Sequence, residues 1–259
     1  MSIDTAVIMA AGLGSRIAGL SPAVSKGFIP IEGKTLVARS IAALAGHGIR
    51  RIVIGTGYLA GEYEALARGT SDVRIECVHN PDYANSGSLE TFLLCASRLD
   101  CDFLSLESDL LYDPRMIDQV LASPFANAML GSVRTDSGDE VYIQADDKLN
   151  LVNLSKNRAI LVHVDAELVG ICKLSRHVPA AIESWMAGAG QSHPAQIHYE
   201  EGLAGIAATL AIHVEKTDLP WTEIDTPEHL ARAKALIWPR IAAAANGAAR
   251  CARPVSSEA

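Results

Sequence analysis

Residues 6–16 read Ala-Val-Ile-Met-Ala-Ala-Gly-Leu-Gly-Ser-Arg, and this stretch decides the fold class. Its apolar beginning predicts a buried β-strand, and the glycines that follow predict a tight turn. A strand that ends in a glycine-rich turn is where α/β proteins bind phosphate, because outward-pointing backbone N–H groups meet the anion. Arg16 and Lys26 add positive charge close to the same turn. The stretch therefore predicts an α/β protein that binds a nucleotide.

Strand-like and helix-like segments alternate after this turn. Val37, Ile41 and Leu44 recur at the spacing of one helix face. Short apolar runs at 52–54 and 103–106 predict further strands, as does the alternation of apolar and charged residues at 73–77. Such alternation is typical of a mainly parallel sheet with helices on both of its faces.

The second half of the chain predicts a small insertion and a tail. Short strands at 140–144 and 149–154 flank two turn-forming aspartates, which predicts a β-hairpin inserted over the sheet at about 134–165. We expect residues 1–238 to form one folded domain. The Ala- and Arg-containing tail, 239–259, is expected to be partly disordered.

The composition excludes several classes of protein. A net charge of −8 argues against a general nucleic-acid surface. Five cysteines without a Cys-x-x-Cys spacing argue against a disulfide framework or a structural zinc site. No signal peptide is recognised, and no apolar run approaches the roughly 20 residues of a membrane span. We expect a cytoplasmic protein without nucleic-acid or membrane partners, and a homodimer is left open.

Other phosphate-binding motifs match the sequence less well. The dinucleotide fingerprint needs a third glycine three residues after Gly14, where Ile17 stands. This departure disfavours an NAD(P)-dependent oxidoreductase. A Walker A loop requires four residues between its glycines, whereas five separate Gly27 from Gly33. The second motif is better explained as the tip of an ordinary turn.

Ala10–Arg16, Lys26 and Pro30–Leu36 together resemble the sugar-phosphate-type nucleotidyltransferase superfamily. Its members begin with a strand, an A-A-G-x-G-x-R loop, a later P-K pair and a P-I/L-x-G-K-P-L segment. This chain departs from the pattern at Ser25, which stands in place of the usual proline. The resemblance covers roughly residues 4–237 and implies a Rossmann-like three-layer α/β/α fold with a mainly parallel mixed sheet. It also implies that the inserted hairpin lies over the site of the acceptor substrate.

Acidic residues at two strand ends predict a metal site. Asp109 ends the strand-like run 104–109, and Asp225 belongs to a segment resembling the superfamily's E-I-D-T-x-E-D. The resemblance assigns both to Mg²⁺, a hard cation that prefers oxygen ligands. Glu107 replaces the first acid of the usual D-x-D pair. Taken alone, Asp225 beside Thr226 also suits a helix cap.

The segment 80–88 reads N-P-D-Y-A-N-S-G-S and resembles the cytidylyltransferases that act on phosphocholine or 2-aminoethylphosphonate. In this resemblance Arg16 binds the leaving phosphates and Lys26 neutralises charge at the α-phosphate. The residues implied to bind the nucleotide are Ala11, Gly12, Gly14, Ser15, Asn85, Gly87 and Ser88.

The low aromatic content bears on the acceptor. Quaternary ammonium groups are usually held by aromatic cages, and only 5% of this chain is aromatic. A primary ammonium donates three hydrogen bonds and suits carboxylates. We therefore expect Mg²⁺-dependent transfer of CMP from CTP to 2-aminoethylphosphonate, with release of pyrophosphate. Phosphocholine, another phosphonate, a sugar phosphate, or nucleotide sensing without catalysis are the alternatives. Candidate acceptor-binding residues are Glu107, Lys156, Glu167, Glu200 and Glu201.

Overall fold

The computed structural model describes residues 3–14, 24–188 and 196–251, with side chains as far as residue 245. The strands are β1 (Thr5–Ala10), β2 (Pro30–Ile31), β3 (Lys34–Thr35), β4 (Arg51–Thr56), β5 (Arg74–His79), β6 (Phe103–Glu107), β7 (Leu110–Tyr112), β8 (Ala128–Ser132), β9 (Tyr142–Ala145), β10 (Leu151–Ser155), β11 (Ala166–Leu174), β12 (His213–Thr217) and β13 (Trp221–Glu223). The helices are α1 (Leu36–Gly46), α2 (Ala60–Gly69), α3 (Ser88–Ala96), α4 (Arg115–Ala122), α5 (Val178–Gly188), α6 (Tyr199–Ile206), α7 (Pro227–Arg232) and α8 (Trp238–Cys251). Short 3₁₀ turns lie at Lys26–Phe28 and Arg158–Ile160, and a π-helical turn at Ala233–Ile237 joins α7 to α8.

One sheet of nine strands runs through the described part of the chain. Its order is β10–β9–β11–β6–β1–β4–β5, with β8 paired to β11 and β12 paired to β8. β1 pairs in parallel with both β4 and β6, whereas β11 runs antiparallel to β6. This arrangement confirms the predicted Rossmann-like α/β fold and its mixed sheet, which is parallel around β1.

Both faces of the sheet are covered by helices. Along β1, Ala6 and Ile8 pack into a core cluster with residues of α1, α2 and α4. Val7 and Met9 pack on the opposite face with residues of α3, α5 and α6. Burial on both faces explains why this strand is a continuous apolar run and not an alternating one.

The hairpin of β9 and β10 is part of the sheet and does not lie over it, contrary to the prediction from the sequence. β9 pairs antiparallel with β11, with Tyr142 opposite Glu167, so the hairpin extends the sheet at its edge. The partner of a strand depends on contacts far away in sequence, which the hairpin's own residues do not encode. Asp139 and Lys156, which lie on either side of the hairpin, nevertheless line the cleft described below.

The chain after the predicted domain boundary continues as helix α8. Ile241 of this helix is 6% exposed and packs in a cluster with Ile31 and Ile224. The end of the tail, 252–259, for which disorder is also predicted, lies outside the described residues. Within the described ranges, the helices are too short or too polar to cross a membrane.

Candidate active site

A cleft of about 600 Å³ opens at the carboxyl ends of β1 and β6. It is walled by the glycine-rich loop after β1, the segment before α3, the acids after β6, the residues around the hairpin and the start of α6. The crevice outside the carboxyl ends of parallel strands is where α/β proteins bind their ligands. The fold therefore places this cleft where a nucleotide is expected.

The loop after β1 forms one wall of the cleft through Ala11, Gly12 and Leu13. A Cβ atom at Gly12 would meet no heavy atom within 4 Å, so the backbone there faces open space. Gly14 has a φ of +62°, in the left-handed region that favours glycine, although it does not line the cleft. The predicted site residues Ser15 and Arg16 lie outside the described residues.

Ser25, which replaces the usual proline, anchors the segment that carries Lys26. The residue is 3% exposed, and its Oγ lies 2.7 Å from the hydroxyl oxygen of Tyr63. Gly27 leaves room for this ring, since a Cβ atom there would lie 2.6 Å from the same hydroxyl oxygen. Burial raises the pKa of Tyr63 to about 12, so its hydroxyl stays protonated and able to donate. The serine thus ties the turn to α2.

The segment 80–88 is held in place by the buried side chain of Asn80. Its Nδ2 donates to the hydroxyl oxygens of Ser86 and Thr91, each at 3.0 Å. The residue is 1% exposed, so these hydrogen bonds are shielded from water. The backbone and small side chains of this wall are therefore held in one arrangement.

Gly87 and Ser88 line the cleft, whereas Asn85 does not. Nδ2 of Asn85 donates to Oδ1 of Asp82 at 2.8 Å on the surface, a local turn contact. Oγ of Ser88 accepts a hydrogen bond from the backbone N–H of Tyr199 at 3.0 Å. Ser88 thereby joins the start of α3 to the start of α6.

Gly87→Ala is expected to destabilise the protein, because a Cβ atom at this position would lie 1.9 Å from the carbonyl oxygen of Ile197. Neither backbone can move aside without displacing the wall of the cleft, and such overpacking costs about 1–3 kcal/mol. Thermal unfolding should show a lowered midpoint. The matched control is Gly61→Ala in α2, where a Cβ atom would meet nothing within 4 Å. Equal midpoints for the two variants would contradict the close approach.

Lys26, Asp109 and Asp225 meet beside the cleft. Nζ of Lys26 donates to Oδ2 of Asp109 at 3.0 Å and to Oδ1 of Asp225. The side chains of Lys26, Asp109 and Asp225 are 17%, 11% and 0% exposed, respectively. The structure thus brings together three predicted site residues that are far apart in the sequence.

The pairing of β7 with β13 explains this meeting. Asp109 directly precedes β7, and Asp225 follows β13 after one intervening residue. The backbone N–H of Ile224 donates to the carbonyl of Asp109 at 3.0 Å. The helix cap falls to Thr226, whose Oγ1 accepts from the backbone N–H of His229 at 3.2 Å. The carboxylate of Asp225 faces Lys26 instead.

Carboxylates crowd around this point in the described residues. Oxygens of Glu107, Asp109 and Glu223 lie within 4.8 Å of one another, as do those of Asp139, Glu223 and Asp225. Burial, and next the charge of Asp109, raise the pKa of Glu223 to about 8. Oδ1 of Asp109 is buried without a hydrogen-bond partner. These closely spaced carboxylate oxygens, one of which is buried without a hydrogen-bond partner, are suitable ligands for a hard divalent cation such as Mg²⁺.

Glu107 occupies a space that glycine and tyrosine create for it. Its Oε1 accepts a hydrogen bond from the hydroxyl of Tyr199 at 2.5 Å. Gly170 has a φ of +83°, and a Cβ atom there would lie 2.9 Å from the same oxygen. Burial, followed by the neighbouring carboxylates, raises the pKa of Glu107 well above its usual range.

Lys156 and Glu167 line the far side of the cleft. Nζ of Lys156 donates to Oδ1 of Asp139 at 2.9 Å. Burial lowers the pKa of Lys156, but the hydrogen bond and charge of Asp139 raise it overall, so the lysine stays charged. Both carboxylate oxygens of Glu167 accept hydrogen bonds from Thr135. The charged Lys156 therefore lines the cleft beside the hydrogen-bonded carboxylates of Asp139 and Glu167.

Glu200 and Glu201 have different positions at the start of α6. Glu200 is 8% exposed and lines the cleft, and burial raises its pKa. Oε2 of Glu201 accepts from the backbone N–H of His198 at 2.7 Å, as part of a capping box. Glu201 therefore contributes to the helix end and does not line the cleft.

Glu223, Asp139 and Tyr199 belong to the site, although they are not among the site residues predicted from the sequence. The position of Glu223 is predictable, because residues two apart in an extended segment share a face. Glu223 stands two residues before Asp225, a predicted metal ligand. Asp139 and Tyr199 reach the cleft through contacts between residues that are far apart in the chain. The sequence contains no pattern that predicts those contacts.

The fold is shared with solved structures of nucleotidyltransferases. A solved structure of the inositol-1-phosphate CTP transferase from T. maritima superposes with a TM-score of 0.76 at 20% identity, covering 93% of this chain and 96% of that chain. Residues 6–192 match the family described as the MobA-like NTP transferase domain, and the chain belongs to that family.

Curated relatives confirm the resemblance stated from the motifs. The chain is 30% identical over 233 residues to a CMP-5'-(3-aminopropyl)phosphonate synthase of Streptomyces rubellomurinus, covering 86% of this chain and 37% of that protein. It is 29% identical over 154 residues to a 2-aminoethylphosphonate cytidylyltransferase of Lancefieldella rimae, covering 58% of this chain and 60% of that protein. The chain thus spans between 37% and 60% of the length of the curated relatives it matches.

Proposed function

We propose that this chain is a Mg²⁺-dependent cytidylyltransferase that transfers CMP from CTP to a small phosphonate, with 2-aminoethylphosphonate as the favoured acceptor. The observation that carries the proposal is the contact of Lys26 with both Asp109 and Asp225 beside the glycine-loop cleft. The names of the relatives, which specify phosphonates and CMP or cytidylyl transfer, support the nucleotide and the acceptor class.

The reaction exchanges one bond at phosphorus for another. A phosphonate oxygen attacks the α-phosphorus of CTP and forms a new P–O bond. The bond from the α-phosphorus to its bridging oxygen breaks, and pyrophosphate leaves. The nucleophile is already an anion, so no general base is needed. The obstacles are charge repulsion and alignment, which positioning and fixed charges overcome.

The residues of the cleft have separate roles in this proposal. Backbone N–H groups around Gly12 and Gly14 cradle the triphosphate, and Arg16 binds the phosphates that leave. Lys26, held by the two aspartates, neutralises negative charge that develops at the α-phosphate. Asp109 and Asp225 would hold Mg²⁺, which when bound supplies Lewis-acid neutralisation of phosphate charge.

The acceptor is bound on the far side of the cleft. Lys156 is the cation that receives the phosphonate group, and the buried carboxylate of Glu200 receives the primary ammonium. Lys156 and Glu200 both line the cleft, and their charges influence each other's pKa. A primary ammonium suits this environment because it donates several hydrogen bonds to carboxylates.

A panel of substrates tests the proposal. Pyrophosphate release is measured with CTP, ATP, GTP or UTP, each combined with 2-aminoethylphosphonate, phosphocholine or a sugar phosphate. The expected result is the highest kcat/KM for CTP with 2-aminoethylphosphonate, and no release without Mg²⁺. A higher kcat/KM for phosphocholine or a sugar phosphate would overturn the assignment of 2-aminoethylphosphonate as the favoured acceptor. Nucleotide binding without release in any combination would favour a sensing protein.

A further inference from the structure

His229 connects two segments that carry acids of the site. The residue is 7% exposed. Its Nδ1 accepts a hydrogen bond from the backbone N–H of Asp225 at 3.3 Å. Because Nδ1 accepts, the neutral ring carries its proton on Nε2, which donates to the carbonyl oxygen of Ser137 at 3.2 Å. The imidazole thus links Asp225, which contacts Lys26, to the loop of Ser137, which lies 92 positions before His229 in the sequence.

That loop, residues 133–141, is called the acceptor loop below. Its Asp139 accepts from Lys156, and Asp139 and Glu140 line the cleft. Although burial raises the pKa of Glu140, hydrogen bonds from the loop's own backbone N–H groups lower it overall, so this carboxylate is charged. Thr135 ties the start of the loop to Glu167. The donation from His229 to the loop lies between these two attachments.

The second contact depends on histidine chemistry. A carboxylate accepts hydrogen bonds and is able to replace Nδ1 in the contact with Asp225. When ionised it has no proton to donate, so it cannot replace Nε2 in the contact with Ser137. The bridge to the acceptor loop is therefore a contact that an aspartate or glutamate at position 229 would not provide.

We propose that His229 is a positioning residue. Its ring fixes the position of the acceptor loop relative to Asp225 and thereby sets the affinity for the acceptor. The inference rests on the proposed function, because that function assigns Lys156 and its surroundings to the acceptor. The donation to Ser137 does not involve Gly12 or Gly87 of the nucleotide wall, so loss of that contact alone should leave the binding of CTP unchanged.

Two conservative variants separate the contacts of the ring. In His229→Asn, the amide Oδ1 replaces Nδ1 and retains the local contact with Asp225. In His229→Gln, the amide Nε2 replaces the ring Nε2 and retains the donation to Ser137. His229→Ala removes both. The readouts are amide hydrogen exchange across the acceptor loop, without substrates, and separate KM values for CTP and acceptor.

We expect His229→Asn and His229→Ala to speed amide exchange in the acceptor loop and to raise the KM of the acceptor. Each change should be about 5- to 10-fold, the size of one lost hydrogen bond. In His229→Asn, which retains the contact with Asp225, exchange in β1 and the KM of CTP should stay unchanged. His229→Gln should show wild-type exchange in the acceptor loop and a wild-type KM for the acceptor. Wild-type loop exchange in His229→Asn, or a uniform rise that includes β1, would overturn the proposal. If the wild type shows no turnover with any acceptor, the proposed function fails, while loop exchange still decides the role of His229.

Discussion

Lys26→Ala is expected to lower turnover on the order of 10²–10³-fold, the effect typical of removing one preorganised group that stabilises a transition-state charge. The reason is geometric: Nζ lies between the carboxylates of Asp109 and Asp225, beside the wall where the α-phosphate is proposed to sit. The lost charge acts on the transition state, so kcat should fall more than affinity for CTP. Steady-state pyrophosphate release checks both quantities.

The control for this prediction is Lys34→Ala. Lys34 is exposed at the start of β3 and does not line the cleft, so its removal should leave turnover unchanged. Removing Lys26 leaves Asp225 buried without that cation, and breaking a buried ion pair costs about 3–5 kcal/mol. Lys26→Gln, which retains a hydrogen-bond donor, and thermal unfolding of each variant separate loss of chemistry from loss of fold. Near-normal turnover in folded Lys26→Ala would refute the assignment.

Asp109→Ala is expected to abolish Mg²⁺-dependent turnover, lowering it by about three orders of magnitude, as is typical when charge stabilisation of a transferring phosphoryl group is removed. Its Oδ1 is a buried oxygen without a hydrogen-bond partner, which suits a metal ligand. A second readout needs no substrate. Mg²⁺ that binds the folded protein raises its unfolding temperature, and this rise should be lost in the variant.

The control here is Asp147→Asn, in the exposed turn of the hairpin, which should retain both turnover and the thermal shift with Mg²⁺. Asp109→Asn preserves the size of the side chain and removes its charge, so it should behave like Asp109→Ala. An active Asp109→Ala enzyme that still requires Mg²⁺ would show that the metal is held by other carboxylates, such as those around Glu223.

The central part of the fold follows from local sequence. The apolar run that becomes β1 is buried on both faces, and this property is visible in the residues themselves. The edge position of the β9–β10 hairpin is not visible, because β9 pairs with β11, whose residues lie beyond the hairpin in the chain. A pattern of alternating residues indicates a strand and does not indicate its neighbour in the sheet.

The site also combines features that local sequence predicts with features that depend on distant contacts. Lys26, Asp109 and Asp225 were recognised from motifs, but their meeting depends on β7 and β13, strands of three residues each. Asn85 and Glu201 have the residue types expected of binding groups, yet the structure uses one in a local turn and the other at a helix end. Side chains of this kind commonly bond to nearby backbone or turn groups, and sequence alone does not separate these uses.

The most direct test of the account is ³¹P NMR of the protein incubated with CTP, 2-aminoethylphosphonate and Mg²⁺. We expect the CTP resonances to decline while pyrophosphate and a phosphonate joined to CMP through a new P–O–P linkage appear in equal amounts. With Lys26→Ala or Asp109→Ala, both products should form on the order of 10²–10³ times more slowly at the same protein concentration. Intact CTP in the presence of folded wild-type protein, Mg²⁺ and acceptor would contradict the account.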